Sequence, residues 1–271
     1  MTTSTHRAGP ADTPRSGYRE NVRALATAQK PARGTAAYSR LVNRPLARRV
    51  AAAAHLVDMT PNTATAISAT LSSLGLVLLA AVPPSVPLGL AVAALLAAGY
   101  VMDSVDGQLA RLRGGGSSAG EWLDHTVDCA KTCAFHLAVL VAWYRFPPVE
   151  ATAVLLVPVA FLIVDVVCFF GLVTMPLLRR LHHARPATVL TPESPVRPWL
   201  LLPTDYGVFC WVFVLVGVPV AFVAGYTLLF VVNAAVLVLA LAKWWRELDG
   251  LDTSDRRDTL PTAIDPEGRT S

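Results

Sequence analysis

Asp103-Ser104-Val105-Asp106-Gly107-Gln108-Leu109-Ala110-Arg111, followed by Gly120, Asp124 and Asp128, sets four carboxylates inside or beside long apolar runs. With residues 85–112 and 118–143 read as helices, Asp103 and Asp106 are three apart, while Gly120, Asp124 and Asp128 are four apart. Each set then lies along one helix face, so two carboxylate pairs can face each other. An ionised carboxylate at bilayer depth costs about 2.5–3.5 kcal/mol on insertion scales, and clustered like charges repel further. A cation has to sit among them. Donor sets made only of oxygen select hard divalent ions, Mg²⁺ first and Mn²⁺ second.

Around this stretch, 54% of the 271 residues are hydrophobic and 15% charged, with a mean hydropathy of +0.48. The charge gathers in the tails and short loops, the pattern of a polytopic membrane protein. One helical domain over 38–246 is expected, between disordered cytosolic tails at 1–37 and 247–271, because no linker divides the chain into comparable halves. Residues 1–35 are polar and lack the apolar core of a cleavable signal peptide, so the chain is expected to insert through its own spans. Cys129, Cys133, Cys168 and Cys210 fall in apolar segments and read as small buried residues, not as disulfides or soft-metal ligands.

From Tyr38 onward, Leu41, Val42, Leu46, Val50 and Val57 recur at helical spacing, while Arg40, Arg44, Arg48 and Arg49 take other positions. That describes a basic helix on the membrane surface, kinked or started by Pro45. Thr60 caps and Pro61 opens a first span to about Val82, with Asn62 in its first turn. Pro83, Pro84 and Pro87 turn the chain, and residues 88–102 return to the aspartate cluster. Residues 112–117 make a hairpin, and Ser118-Ala119-Gly120-Glu121 has the form of a capping box opening the third span, which ends near Trp143. A fourth span covers Ala151–Thr174; its Asp165 either bonds a neighbouring backbone or serves a substrate pocket. A fifth runs over 206–223 behind an Asp205 cap, an Ala-Gly-Tyr turn follows, and 227–242 makes the sixth. The fold class is therefore all-α integral membrane, six transmembrane helices with a preceding amphipathic interfacial helix. Basic residues sit before span one and after spans two, four and six, Arg179, Arg180, His182, His183 and Arg185 among them, which puts both termini and the aspartates on the cytosolic side.

The spacing D-x2-D-G-x2-A-R-x8-G-x3-D-x3-D resembles the signature of the CDP-alcohol phosphotransferases, membrane enzymes of phospholipid synthesis. Thr60-Pro61-Asn62 and the number of spans extend the resemblance over roughly residues 40–245. It implies transfer of a phosphatidyl or other substituted phosphate group from a CDP-alcohol, CDP-diacylglycerol in the first reading, to an acceptor hydroxyl with release of CMP. It implies Asp103, Asp106 and Asp124 as metal ligands, Asp128 as ligand and general base, and two Mg²⁺ or Mn²⁺ ions flanking the reacting phosphate. Asn62, Gly107, Ala110, Arg111 and Gly120 would bind substrate, the small residues leaving room for cytidine diphosphate and Arg111 meeting its phosphates.

The acceptor is marked in two conflicting ways. Gly120-Glu121-Trp122-Leu123-Asp124-His125 is similar to the GE-x-x-DH stretch of choline and ethanolamine phosphotransferases, which act on diacylglycerol-like lipids. Ser39-Arg40 with Asn43-Arg44 is similar to enzymes using inositol-phosphate-type acceptors, yet Cys129 stands where many of those carry Arg or Lys, and Lys131 comes two positions later. His125 is rotated about 100° from Asp124, the position of a packing residue. A cation transporter would also hold carboxylates, but would not need Gly107, Ala110, Arg111 and Gly120 at these intervals. A non-catalytic relative would not need all four aspartates. Expected partners are the CDP-linked donor, the alcohol acceptor and membrane lipids; a homodimer is compatible with the pattern, and no nucleic acid is expected.

Overall fold

A computed structural model of the chain describes residues 17–28, 34–182 and 194–259. His183 and Arg185 of the basic cluster lie outside the described residues. Five of the described helices are long and apolar enough to cross a membrane. Named in chain order, the helices are α1 Tyr18–Thr27, α2 Arg44–Leu56, α3 Pro61–Ala81, α4 Val86–Leu112, α5 Ser118–Arg145, α6 Leu156–Leu181, the single turn α7 Arg197–Leu200, α8 Tyr206–Val212 and α9 Pro219–Thr259. A π-helical turn at Ser39–Asn43 leads into α2, and 3-10 turns cover Thr152–Leu155, Leu202–Thr204 and Phe213–Gly217.

The local signals for the first span act as read. Thr60 accepts the Thr63 amide hydrogen at 3.1 Å and Pro61 opens α3. Ser85 caps α4 in the same way. The α4–α5 hairpin turns on Gly114 and Gly115, both at positive φ, where residues with a Cβ are strained. The cap of α5 is Ser117 rather than Ser118: its hydroxyl accepts the Gly120 amide hydrogen at 3.0 Å. Glu121 is thereby one residue too late for a capping box, and it points outward, exposed.

The expected fifth span is shorter and ends earlier. Tyr206 packs on Tyr100 of α4, and a Cβ on Gly217 would lie 2.4 Å from the Val86 backbone nitrogen. The segment Tyr206–Gly217 therefore runs antiparallel to the first half of α4, a stretch of about 21 Å at 1.5 Å per residue. The turn expected at Ala224-Gly225-Tyr226 is inside α9, and the chain turns instead at Gly217-Val218-Pro219. Packing decides between the two glycines: Gly217 has to lie against the α4 backbone, whereas Gly225 lets α9 approach Leu215 and Val212.

Two further departures concern the ends. The N-terminal stretch read as disordered carries α1, whose Leu25 is buried against α2 and α4 and whose Asn21 donates to the Ala52 carbonyl at 3.4 Å. The C-terminal stretch read as disordered from 247 continues α9 to Thr259, held by a bidentate Arg179–Glu247 pair at 2.6 and 2.9 Å. Along α2 the buried face is small, Ala47, Ala51 and Ala54, while Leu41, Val42, Leu46 and Val57 stay exposed. That leaves large apolar side chains for the membrane and lets α2 lie close on α4. The main core is aromatic, Phe135, Phe161, Phe209, Phe213, Phe222 and Tyr226 meeting where α5, α6, α8 and α9 converge. Only 11% of the most apolar window of α6 is buried by protein, so lipid covers most of that helix.

Candidate active site

The aspartates come from two antiparallel helices joined by the glycine hairpin. Gly99, one turn before Asp103, sets how close α3 comes: a Cβ there would sit 2.5 Å from Ser72 Oγ and 3.2 Å from the Ser68 carbonyl. This close crossing brings Thr65 and Ser68 of α3 against the cluster. Thr65 donates its hydroxyl hydrogen to Asp106 Oδ2 at 2.8 Å, and Ser68 lies 3.5 Å from Asp103 Oδ1.

Asp103, Asp124 and Asp128 converge, with one carboxylate oxygen from each lying within 4.8 Å of the others. Asp106 is not part of that trio. It is buried beside Asp124, with Thr65 on one oxygen and the Gly107 amide on the other. Lys131, one turn beyond Asp128, reaches into the trio. Its buried ammonium donates to Asp128 Oδ1 at 2.8 Å, to Ser68 Oγ at 3.2 Å and to Asp103 Oδ1. All three of its donors are used, so its ammonium is committed to this cluster.

The residues expected to meet substrate surround this cluster. Asn62 lies against Gly120, whose added Cβ would be 3.6 Å from Asn62 Oδ1. A Cβ on Gly107 would meet nothing nearer than Arg111 Nη1 at 3.8 Å, so packing does not require glycine there, and the space beside the cluster is open. Ala110 closes the hairpin, accepting the Gly115 amide hydrogen at 2.9 Å. Arg111 is within electrostatic reach of Asp106 and Arg44, and its Nε is buried with no hydrogen-bond partner among the described residues. His125 packs its ring edge-on to Phe169 at 6.4 Å, as its rotation on the helix predicts.

An all-oxygen donor set this tight, with open space beside it, fits hard divalent ions. The sequence pattern from residue 58 to residue 245 matches the profile of the CDP-alcohol phosphatidyltransferases. The chain belongs to that family. It is thus a membrane enzyme that moves substituted phosphate groups in phospholipid synthesis with a divalent metal, and it carries an acidic cluster whose donor set fits such an ion. Two crystal structures of the phosphatidylinositol phosphate synthase of Mycobacterium tuberculosis are similar. The one in complex with manganese and citrate is 25% identical at a TM-score of 0.48, covering 81% of this chain and 92% of that one. The one with CDP-DAG bound is 22% identical at a TM-score of 0.48, covering 84% and 99%. A search of curated proteins finds no match.

Sequence reading passed over Thr65, Ser68 and His136 and noted Lys131 only by position. The N-terminal part of α3 is rich in hydroxyls, Thr63, Thr65, Ser68, Thr70, Ser72 and Ser73, and nothing in the sequence singles out the two that face the cluster. Nothing local marks His136, whose partners Asp165 and Tyr226 stand on other helices. In the basic cluster, Arg179 is committed to Glu247, while Arg180 is exposed.

Proposed function

We propose that the enzyme transfers a phosphatidyl group from CDP-diacylglycerol to the hydroxyl of an alcohol, releasing CMP. The observation that carries this is the convergence of Asp103, Asp124 and Asp128, with Asp106 beside them, next to open space at Gly107 and the unpartnered donor of Arg111. Asp103, Asp106, Asp124 and Asp128 would hold two Mg²⁺ or Mn²⁺ ions, which when bound neutralise the diphosphate and stabilise entering and leaving oxygens. Arg111 grips the diphosphate through its planar fork, while Asn62, Gly107, Ala110 and Gly120 frame the cytidine side. Lys131 takes Oδ1 of Asp128, leaving Oδ2 to accept the hydroxyl proton as the acceptor oxygen attacks. A new P–O bond forms to the acceptor, and the bond to CMP breaks.

Basic residues at the ends of α4, α6 and α9 support a cytosolic site and cytosolic termini. External thiol labelling of intact cells should reach Ser85→Cys and not Gly115→Cys; the reverse pattern inverts the topology. For the reaction, membranes holding the protein are given CDP-diacylglycerol and a panel of alcohols, and lipid products are separated by class. A new phospholipid with matching CMP supports the reading, whereas no CMP with any alcohol sinks it.

A further inference from the structure

The face of α5 that carries Asp124 and Asp128 continues through Thr132 and His136, at steps of four residues. Both of these line a cavity of about 380 Å³ between α5, α6, α8 and α9. Its walls are aromatic: Phe135, Phe161, Phe169, Tyr206, Phe209 and Trp244. Its polar groups include Asp165 and Asn233, and no lysine or arginine among the described residues lines it. At the end nearer the metal cluster stands Tyr206, within electrostatic range of Asp103 and Asp128; its hydroxyl is buried without a hydrogen-bond partner among the described residues.

Asp165 is held in the cavity wall by a relay. The hydroxyl of fully buried Tyr226 lies 2.5 Å from His136 Nδ1, and His136 Nε2 lies 3.0 Å from Asp165 Oδ2. One ring nitrogen meets the tyrosine hydroxyl and the other meets the carboxylate, so the imidazole is fixed between the two. The histidine thus orients the carboxylate through Oδ2. The other oxygen, Oδ1, remains available to the cavity. A carboxylate among apolar helices costs about 2.5–3.5 kcal/mol unless a cation joins it, and beyond His136, which is already engaged on Oδ2, no cationic side chain among the described residues lines the cavity. Aromatic faces around a carboxylate recognise an ammonium group, through the ring quadrupole and the charge together. A phosphorylated alcohol would meet Asp165 with no basic partner here.

We propose that this cavity is a subsite for the ammonium end of an amino-alcohol substrate, whose oxygen is directed along α5 toward Asp128. The proposal rests on the phosphotransfer reading above and adds the substrate class. The spacing suits it: eight residues from Asp128 to His136 rise about 12 Å. An ammonium and a hydroxyl two carbons apart, each with a contact of about 3 Å, cover most of that distance. The amino alcohol is either a free acceptor or the alcohol already esterified in the CDP-donor.

The test uses the full chain in nanodiscs. One arm offers CDP-diacylglycerol with ethanolamine, choline, glycerol, inositol or glycerol phosphate; the other offers CDP-ethanolamine with diacylglycerol. CMP and lipid product are both read. Turnover of an amino alcohol in either arm is expected and identifies its source. Asp165→Asn should raise KM for that substrate about 10- to 100-fold, the value of a charged hydrogen bond, with kcat nearly kept. Independently of turnover, choline should change the fluorescence contributed by Trp244, a change absent in Trp244→Phe and weakened in Asp165→Asn. Transfer confined to polyols or phosphorylated alcohols overturns the proposal and leaves the phosphotransfer reading standing. CMP release in neither arm refutes that reading instead, and the choline titration then decides the cavity alone: no change in the wild-type chain overturns it.

Discussion

Lys131→Met removes the ammonium that joins Asp103 to Asp128 and keeps the length of the side chain. Lys131 is buried, with a side-chain exposure of 10%, and its two partners are partly buried, at 22% for Asp103 and 29% for Asp128. Removing one partner of a buried ion pair costs about 3–5 kcal/mol, because the charge left behind loses its counter-ion where little water reaches it. For a domain of this size, 1 kcal/mol lowers the melting temperature by about 2–4 °C, so in chelator the variant should melt about 10 °C below the wild type. A divalent ion supplies the missing charge. Saturating Mg²⁺ should therefore return most of the loss, and its stabilising increment should be larger in Lys131→Met than in the wild type, where the ammonium competes for the same two carboxylates. Thermal unfolding of both chains in detergent, with EDTA and with a Mg²⁺ series, reads all four quantities. Equal melting temperatures in chelator, or equal Mg²⁺ increments, would show that Lys131 is not the internal counter-ion of this cluster.

Chelation of divalent ions should abolish CMP release, and Mg²⁺ or Mn²⁺ should restore it; undiminished turnover in EDTA would exclude the metal mechanism. Asp128→Asn should lower turnover about 10²–10⁴-fold while donor binding is largely kept, as loss of a general base does. Asp106→Asn should lose donor binding and turnover together, so equal binding losses in the two variants would make Asp128 chiefly a ligand. Gly99→Ala places a methyl 2.5 Å from Ser72 Oγ and should cost about 1–3 kcal/mol by overpacking the α3–α4 crossing. Adding Ser72→Ala should recover part of that stability, and no recovery in the melting curve would mean the crossing is not limiting.

How the sequence could be read here followed from how local each signal is. The aspartates declared themselves because spacings of three and four residues put side chains on one helix face regardless of the rest of the fold. Clustered charge in an apolar run then demands cations by electrostatics alone. The caps at Thr60 and Asp205 were equally local, each being a polar side chain bonding an amide two or three residues on. The motif is local too, and it is the resemblance of its spacing to a family signature that implied the chemistry.

Other features needed the helices to be set against one another. Gly217 and Gly225 are the same residue in similar apolar company, and only the backbone of Val86 against one and the side chains of Val212 and Leu215 against the other distinguish a turn from a packed helix. The relay from Tyr226 through His136 to Asp165 joins three helices, and the ammonium of Lys131 could have faced lipid or carboxylates until α3 and α4 fixed the rotation of α5. A soluble helix reveals its inward face through amphipathicity. A membrane helix does so far less, because lipid is as apolar as the protein interior, so the rotation of each span is decided by close packing and polar contacts with its neighbours.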